Sequence, residues 1–442
     1  MISLRFVLLA LLAGCSNSNP TTDGGSDAPS NSCAAPTGSG TTHATYISAN
    51  ETWTAAGSPH LVTTSIRVDT GVTLTIEPCA QVRLGASNHI EVDGTLIAEG
   101  TADKPITFDP SDSAPWGFVN VFAPGTISLA YATLTGGGGD ESNAYAALEA
   151  RGDQLAPAQP ILKVQHVTVA SSASYGVSLR AGGAFTADST SLDVHGSKKA
   201  PMRINPRLAT NIPTGTYTSN TLDAIVVETE AYGDVTLEDV TFHERGVPYQ
   251  IGGEKSVGTF VVGGGSTLAT LKIDPGVKLA FVKGSGAILN IDKGSSTSPA
   301  TGALVAKGTT SQPIVFTSAA QAPAAGDWVG LSFGNAPNAK DQLDHVEVHY
   351  AGADPQANGF HCMPNGSVSA DEKAAVSFYG QPTLAMVTSS TFADVAGAGV
   401  NLAYKGTSVD FVTGNTFTNV SGCKVTTPKD TGGNCPATSP CP

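Results

Sequence analysis

The chain repeats itself on two length scales, and this limits its fold more than any other property. A unit that recurs every 20 to 50 residues or so is too small to bury a core alone and is stabilised by stacking on its neighbours. On the long scale, Glu77-Pro78 is followed by GTLIAEGT (Gly94 to Thr101), Pro105-Ile106-Thr107-Phe108, Trp116 and LAYATL from Leu129. Asp274-Pro275 is followed in the same order by GALVAKGT (Gly302 to Thr309), Pro313-Ile314-Val315-Phe316, Trp328 and LDHVEV from Leu343. The offset between the blocks grows from 197 to 214 along the series, as expected if insertions fall in loops between fixed strands. The match extends upstream, where Trp53 precedes Pro59 by six residues and Phe242 precedes Pro248 by six.

On the short scale a strand, a turn and a second strand led by a small residue recur. Examples are HVTVASSASYGVSL from His166, DVTFHERGVPYQI from Asp239, STFADVAGAGVNL from Ser390 and NTFTNVSGCKV from Asn415; Phe392 and Phe417 are 25 residues apart. One coil of a parallel β-helix, with three short strands and three turns, needs about that length. Within strands, as in Ile90-Glu91-Val92-Asp93, apolar and polar residues alternate. No helical pattern of 10 to 15 residues lies between them, which argues against a doubly wound α/β sheet. The expected architecture is an all-β, single-stranded right-handed parallel β-helix over residues 33–423, with related blocks of about 45–240 and 241–423. At ~23 residues per coil that makes about 16 coils and a rod of about 75 Å. The segment around Cys33 and the tail 424–442 are the expected caps on its open strand edges.

The N-terminus reads as an export signal, with Arg5, an apolar run from Phe6 to Leu12, and Ala13-Gly14 before Cys15. The run is far short of the ~20 residues of a membrane-spanning helix. Leu12-Ala13-Gly14-Cys15 resembles the bacterial lipobox, which implies cleavage after residue 14 and acylation of Cys15. Residues 16–32 are polar and rich in Ser, Asn, Gly and Pro, so 15–32 is expected to be a flexible tether. Ser16, rather than Asp, after the lipidated Cys implies by the same resemblance an outer-membrane location, at the cell surface or on the periplasmic side.

With 23 basic and 37 acidic residues the net charge is -14, which speaks against nucleic acid and anionic membrane surfaces as partners. Charged residues make up only 14% of the chain and glycines number 50, a composition suited to an exported β protein.

LTIEPCAQVRL from Leu74, IEVDGTLIAEGT, PITF and Trp116 together resemble exported parallel β-helix proteins of the pectate-lyase-like superfamily. Within it the chain is similar to bacterial surface lipoproteins with no assigned activity, over about residues 45–425. Cys79 departs from the pattern, standing where the second block has Gly276. Six cysteines remain beside Cys15: Cys33, Cys79, Cys362, Cys423, Cys435 and Cys441. An even number in an exported chain permits three disulfides. Their places near the chain ends and the departure at Cys79 favour Cys33–Cys79, and the pairing of the other four stays open.

Lyases of the superfamily hold calcium on clustered carboxylates and use an Arg or Lys base, while its glycosidases use close-set Asp residues. Here Asp140-Glu141 follows a glycine run, Glu228 and Glu230 share a strand face, and Arg203 and Arg207 flank Asn205-Pro206. By sequence these are isolated solvated charges, and no catalytic or cofactor-binding residue is assigned. His345, Glu347 and His349 alternate with Val346 and Val348 and are expected on one outer face, as any solvated strand requires; no metal ligand is assigned, and these three are the weak candidates for one such as zinc. Asp239, Thr241 and His243, with His166 and Thr168, are expected to form a comparable face that stacks on successive or nearby coils. His361-Cys362 is read as a disulfide half-site. Gly136 to Gly139 and Gly263 to Gly265 lack the Lys-Ser or Lys-Thr of a phosphate loop and are read as turns. The function expected is therefore that of a monomeric, non-catalytic, lipid-anchored rod that presents a face to glycan or envelope material. The alternative is a calcium-dependent polysaccharide lyase or another carbohydrate-active enzyme.

Overall fold

The computed structural model describes residues 32–139, 146–229, 234–235, 237–254, 256–284, 286–292, 300–334, 337–355, 373–404, 406–428 and 441. They form a right-handed parallel β-helix, and every pairing between named strands is parallel. One face is a continuous sheet of thirteen strands that runs from Ile66–Val68 to Thr416–Val420; it is called the spine here. Along the first block the other two faces join into a second thirteen-stranded sheet through the long strand Gln159–Ala170. Along the second block they separate into two five-stranded sheets.

Alternation drives each rung. Ile90 and Val92, Val119 and Val121, Leu148 and Ala150, and Val177 and Leu179 point inward and are buried, each stacked in register on the next. Aromatic side chains stack within the core in the same way, with Phe281 on Trp328 at 4.3 Å and Phe333 on Phe378 at 4.8 Å. Corners between faces are turned by single left-handed residues: Tyr131 (φ 44), His166 (φ 53) and His345 (φ 51). Glycine is required where backbones meet. A Cβ on Gly94 would lie 2.3 Å from the Val72 carbonyl oxygen, and one on Gly302 2.4 Å from that of Val262. These two residues open the matching octapeptides, so that repeat is conserved between blocks for steric reasons.

Two expectations need correction. Among the described residues the spine has thirteen strands, fewer than the 16 coils anticipated, because some coils take more than 23 residues: Val348 and its partner Phe392 are 44 residues apart. At about 4.8 Å per rung the rod is about 60 Å long. The segment at Cys33 does not cover the rod's end: Ser32 donates to the Asp103 carbonyl and Cys33 is bonded to Cys79, so it lies against the side turns. The end is closed by the coil Thr41–His43 and Glu51–Trp53, where His43 stacks on Trp53 at 4.0 Å. At the other end Val425 pairs with Val400, and Cys423 is bonded to Cys441. Cys362 and Cys435 lie outside the described residues.

The two sequence blocks are also offset around the axis. Ile106–Pro110 pairs with Gln81–Leu84 and Ala132–Thr135, off the spine, whereas its counterpart Ile314–Ser318 is a spine strand. Val119–Phe122, after Trp116, is in the spine, whereas Gly330–Phe333, after Trp328, lies in a five-stranded sheet. Equivalent strands of the two blocks thus fall one face apart.

Candidate functional site

The outward side chains of the spine form two polar rows along the first block. One row runs Glu91, Asn120, Glu149, Ser178, Arg203. The other begins with Arg151 and Arg180 in register and continues through Asn205, which follows Met202–Ile204, and Glu228, which follows Ile225–Val227. Outward residues of an exposed sheet are normally solvated, but here Glu149 is 1% and Arg203 5% exposed. Arg151, Arg180, Arg203, Asn205, Glu228 and Thr229 line a cleft of about 220 Å³. Beside it is a second space of about 450 Å³, lined by Tyr175, Lys198, Lys199, Val226 and Gln250 among others. The Tyr175 ring joins the two, with Lys199 Nζ 5.3 Å and the Arg203 guanidinium 5.4 Å from its centroid.

The cleft's charges are coupled. Arg180 Nη1 donates to Glu149 Oε1 at 3.2 Å, and Arg203 Nη2 donates to Ser178 Oγ at 3.2 Å. Burial holds the Glu149 carboxyl above the usual glutamate range, against the opposing pull of Arg180 and Arg203. Burial and then the neighbouring Arg180 charge lower Arg203, against Glu149 and Glu228. Burial, reinforced by Glu254 and Glu228, pushes the Tyr175 phenol up to about 12. Three guanidiniums, that of Arg203 buried and those of Arg151 and Arg180 reaching solvent, thus meet two carboxylates here, a charge arrangement with the chemistry to bind an anion.

The structure separates other residues that the sequence reading grouped. Arg203 and Glu228 enter the cleft, correcting their reading as isolated solvated charges. Arg207 does not: its guanidinium donates to the Ala156 and Asp153 carbonyls and anchors the loop beside Gln154. Glu347 and His349 share an outer face and bond to each other at 3.1 Å. His345 occupies the corner before them and bonds to Asp344 at 3.0 Å, so the three do not share one face. Among the described residues no group of three His, Cys, Asp or Glu side chains converges as a metal site. The other polar stripes are also dispersed. His243 bonds to Asp274 and Asp239 accepts from the Thr270 amide in a five-stranded sheet, while His166 stacks on Tyr131 in the second thirteen-stranded sheet. They therefore do not stack with Glu347. Gly136, Gly138, Gly263 and Gly264 are left-handed turn residues. Cys15, Asp140, Glu141, Glu230 and His361 lie outside the described residues.

Sequence reasoning missed Glu149, Arg151, Tyr175, Ser178 and Arg180. The signal was present in Leu148-Glu149-Ala150-Arg151, Val177-Ser178-Leu179-Arg180 and Met202-Arg203-Ile204-Asn205, three tetrapeptides of one alternation at near-coil spacing. Residues 233–359 match the family model of a pectate-lyase like beta helix domain. That match agrees with the parallel rungs and assigns no activity. It covers coils of the second block, whereas the described cleft residues end at Thr229. No curated protein and no solved structure matches the chain.

The second block has an equivalent outward row. Ser332 stands four residues after Trp328, as Asn120 does after Trp116, and is in register with Asn290 below and Ser377 above, followed by Asn401. This row is buried but uncharged, and both amide atoms of Asn290 lack a hydrogen-bond partner. Among its described residues this row of the second block has none of the charge that the first-block rows carry.

Proposed function

We propose that the protein binds an acidic polysaccharide along the outer face of the spine, as a rod attached to the outer membrane through acylated Cys15. The observation that carries this reading is the convergence of Arg151, Arg180 and Arg203 from neighbouring rungs on one cleft, in a chain of net charge -14. Guanidinium groups match carboxylates in geometry, and a parallel β-helix repeats its contacts along the axis, as an extended polymer requires. A pectate-lyase like fold fits a carbohydrate-related role.

Titration calorimetry of the mature protein against uronate oligosaccharides and their neutral counterparts tests the binding. Uronates should bind, neutral sugars should not, and Arg180→Ala and Arg203→Ala should each weaken binding at least about tenfold, the scale of one lost charge-assisted hydrogen bond. Equal binding of neutral sugars overturns the reading. The catalytic alternative is supported by the perturbed Glu149 beside the arginines. New ultraviolet absorbance from unsaturated products, appearing with uronates and calcium, would make the protein a lyase. Cys15→Ala should release the protein from the membrane fraction, and its persistence there rules out the lipid anchor.

A further inference from the structure

Glu149, which holds Arg180 from behind the cleft, is a feature that anion binding alone does not explain. Its carboxylate is buried behind the cleft wall, bonded to Arg180, which lines the site that the proposed function gives to an acidic ligand. Oε1 accepts from Arg180, and Oε2 is buried without a hydrogen-bond partner. The groups around it are known from every packed rung: Arg151 on its own strand, Asn120 on the rung below, Ser178 and Arg180 on the rung above, and Arg203 beyond them. The other acids along these rows are Glu91, two rungs below, and Glu228 beyond Arg203. No acid other than Glu149 faces Arg180 at ion-pair distance among the described residues.

We infer that an acidic ligand entering this cleft drives a proton from solvent onto Oε2 of Glu149, so that binding and protonation are coupled. The inference rests on the acidic-polysaccharide reading. A ligand carboxylate at Arg180 competes for the guanidinium that Oε1 now uses and places a second negative charge beside a buried one. Both effects favour the neutral acid, because a buried carboxylate that loses its counter-charge is far more costly than a buried carboxylic acid. The proton comes from buffer, and the ligand's own carboxylate stays ionised in water above about pH 5. Burial already biases Glu149 in the required direction. The rod would then hold acidic glycan more tightly as its surroundings acidify.

The test is titration calorimetry of the mature full chain with a homogalacturonate hexasaccharide between pH 5 and 8. Each pH is run in two buffers of different ionisation enthalpy, so that protons exchanged on binding are counted. Net uptake should approach one proton over part of this range, with affinity rising by up to about tenfold per pH unit lost there. Glu149→Gln should abolish the uptake, flatten the pH dependence and bind more tightly than the native chain at pH 8. Binding with no uptake at any pH overturns the coupling and leaves the binding reading intact, and so does equal uptake by Glu149→Gln. No binding of any uronate removes the reading itself and the coupling with it. If Glu149→Gln melts early or fails to fold, the proton count on the native chain decides alone.

Discussion

Cys79 holds a left-handed backbone with φ 68, the conformation that Gly276 adopts with φ 84 at the equivalent turn of the second block. A left-handed L-residue costs about 1–2 kcal/mol that glycine does not pay. At Cys79 the disulfide to Cys33, which closes a loop of 46 residues, offsets that cost. In a Cys33→Ser background, Cys79→Gly should therefore be more stable than Cys79→Ala by about 1 kcal/mol. Hydrogen exchange in the first coils measures this, because a solenoid does not unfold as one unit. Equal protection in the two variants would show that this turn relaxes once the bridge is gone. Asn290 makes the opposite case, since its amide is fully buried with neither atom bonded. Asn290→Leu removes an unsatisfied group at similar volume and should leave the melting temperature unchanged or raise it. A fall of several degrees would mean that ordered water satisfies the amide. The sequence reading identified the special turn at Cys79 because one glycine was missing from a repeat. It could not identify Asn290, because a polar residue in strand alternation reads as solvated whether or not its outward face is covered.

At the scale of strands and coils, the repeat unit was legible and its placement was not. Trp116 and Trp328 occupy matching points in the text of the chain, and each indole N–H donates to a backbone carbonyl of a later strand, that of Thr135 or His349. Yet the strands that follow them lie on different faces. Sequence similarity records which strand follows which turn, and says nothing of how far the chain has wound between blocks. For that reason the stripes at His166, Asp239 and Glu347 looked stackable and are dispersed, whereas Glu149, Arg180 and Arg203 looked unrelated and converge. The first coil has its own consequence. His60 Nε2 lies 2.9 Å from the Thr54 carbonyl and His60 Nδ1 3.0 Å from His43 Nε2, while His43 Nδ1 lies 3.3 Å from Glu51 Oε1. Burial lowers both imidazoles below 6.5, with Glu51 opposing. Below pH 6.5 the unfolded coil takes up protons that the folded coil resists, so the coil's stability is retained at higher pH and lost on acidification. Amide protection in Thr41–His43 and His60–Val62, corrected for intrinsic exchange, should fall between pH 7 and 5. Protection that rises instead would mean that the His43–Glu51 pair outweighs burial.

For the molecule as a whole, the charge that attracts a polyanion and the charge that repels it act over different distances. The rod carries a net -14, spread over its length, while the attraction proposed for uronates comes from three guanidiniums in one cleft. Salt separates the two. At 0.01 M ionic strength the screening length is about 30 Å, half of a rod of about 60 Å, so an approaching polyanion feels most of the surplus acids. At 0.1 M it is about 10 Å, and a chain in the cleft feels little beyond the arginines and their two glutamates. At 1 M it is about 3 Å, and solvent-reaching contacts such as those of Arg180 are themselves weakened. Uronate affinity measured at fixed pH should therefore pass through a maximum near 0.1 M rather than fall steadily with salt. A steady fall from 0.01 M would place the ligand beyond the reach of the distributed acids, and a steady rise would mean that guanidinium contacts contribute little. With Arg151, Arg180 and Arg203 all changed to Gln the maximum should vanish and only the repulsive limb remain, because the local attraction has been removed and the charge of the rod has become still more negative.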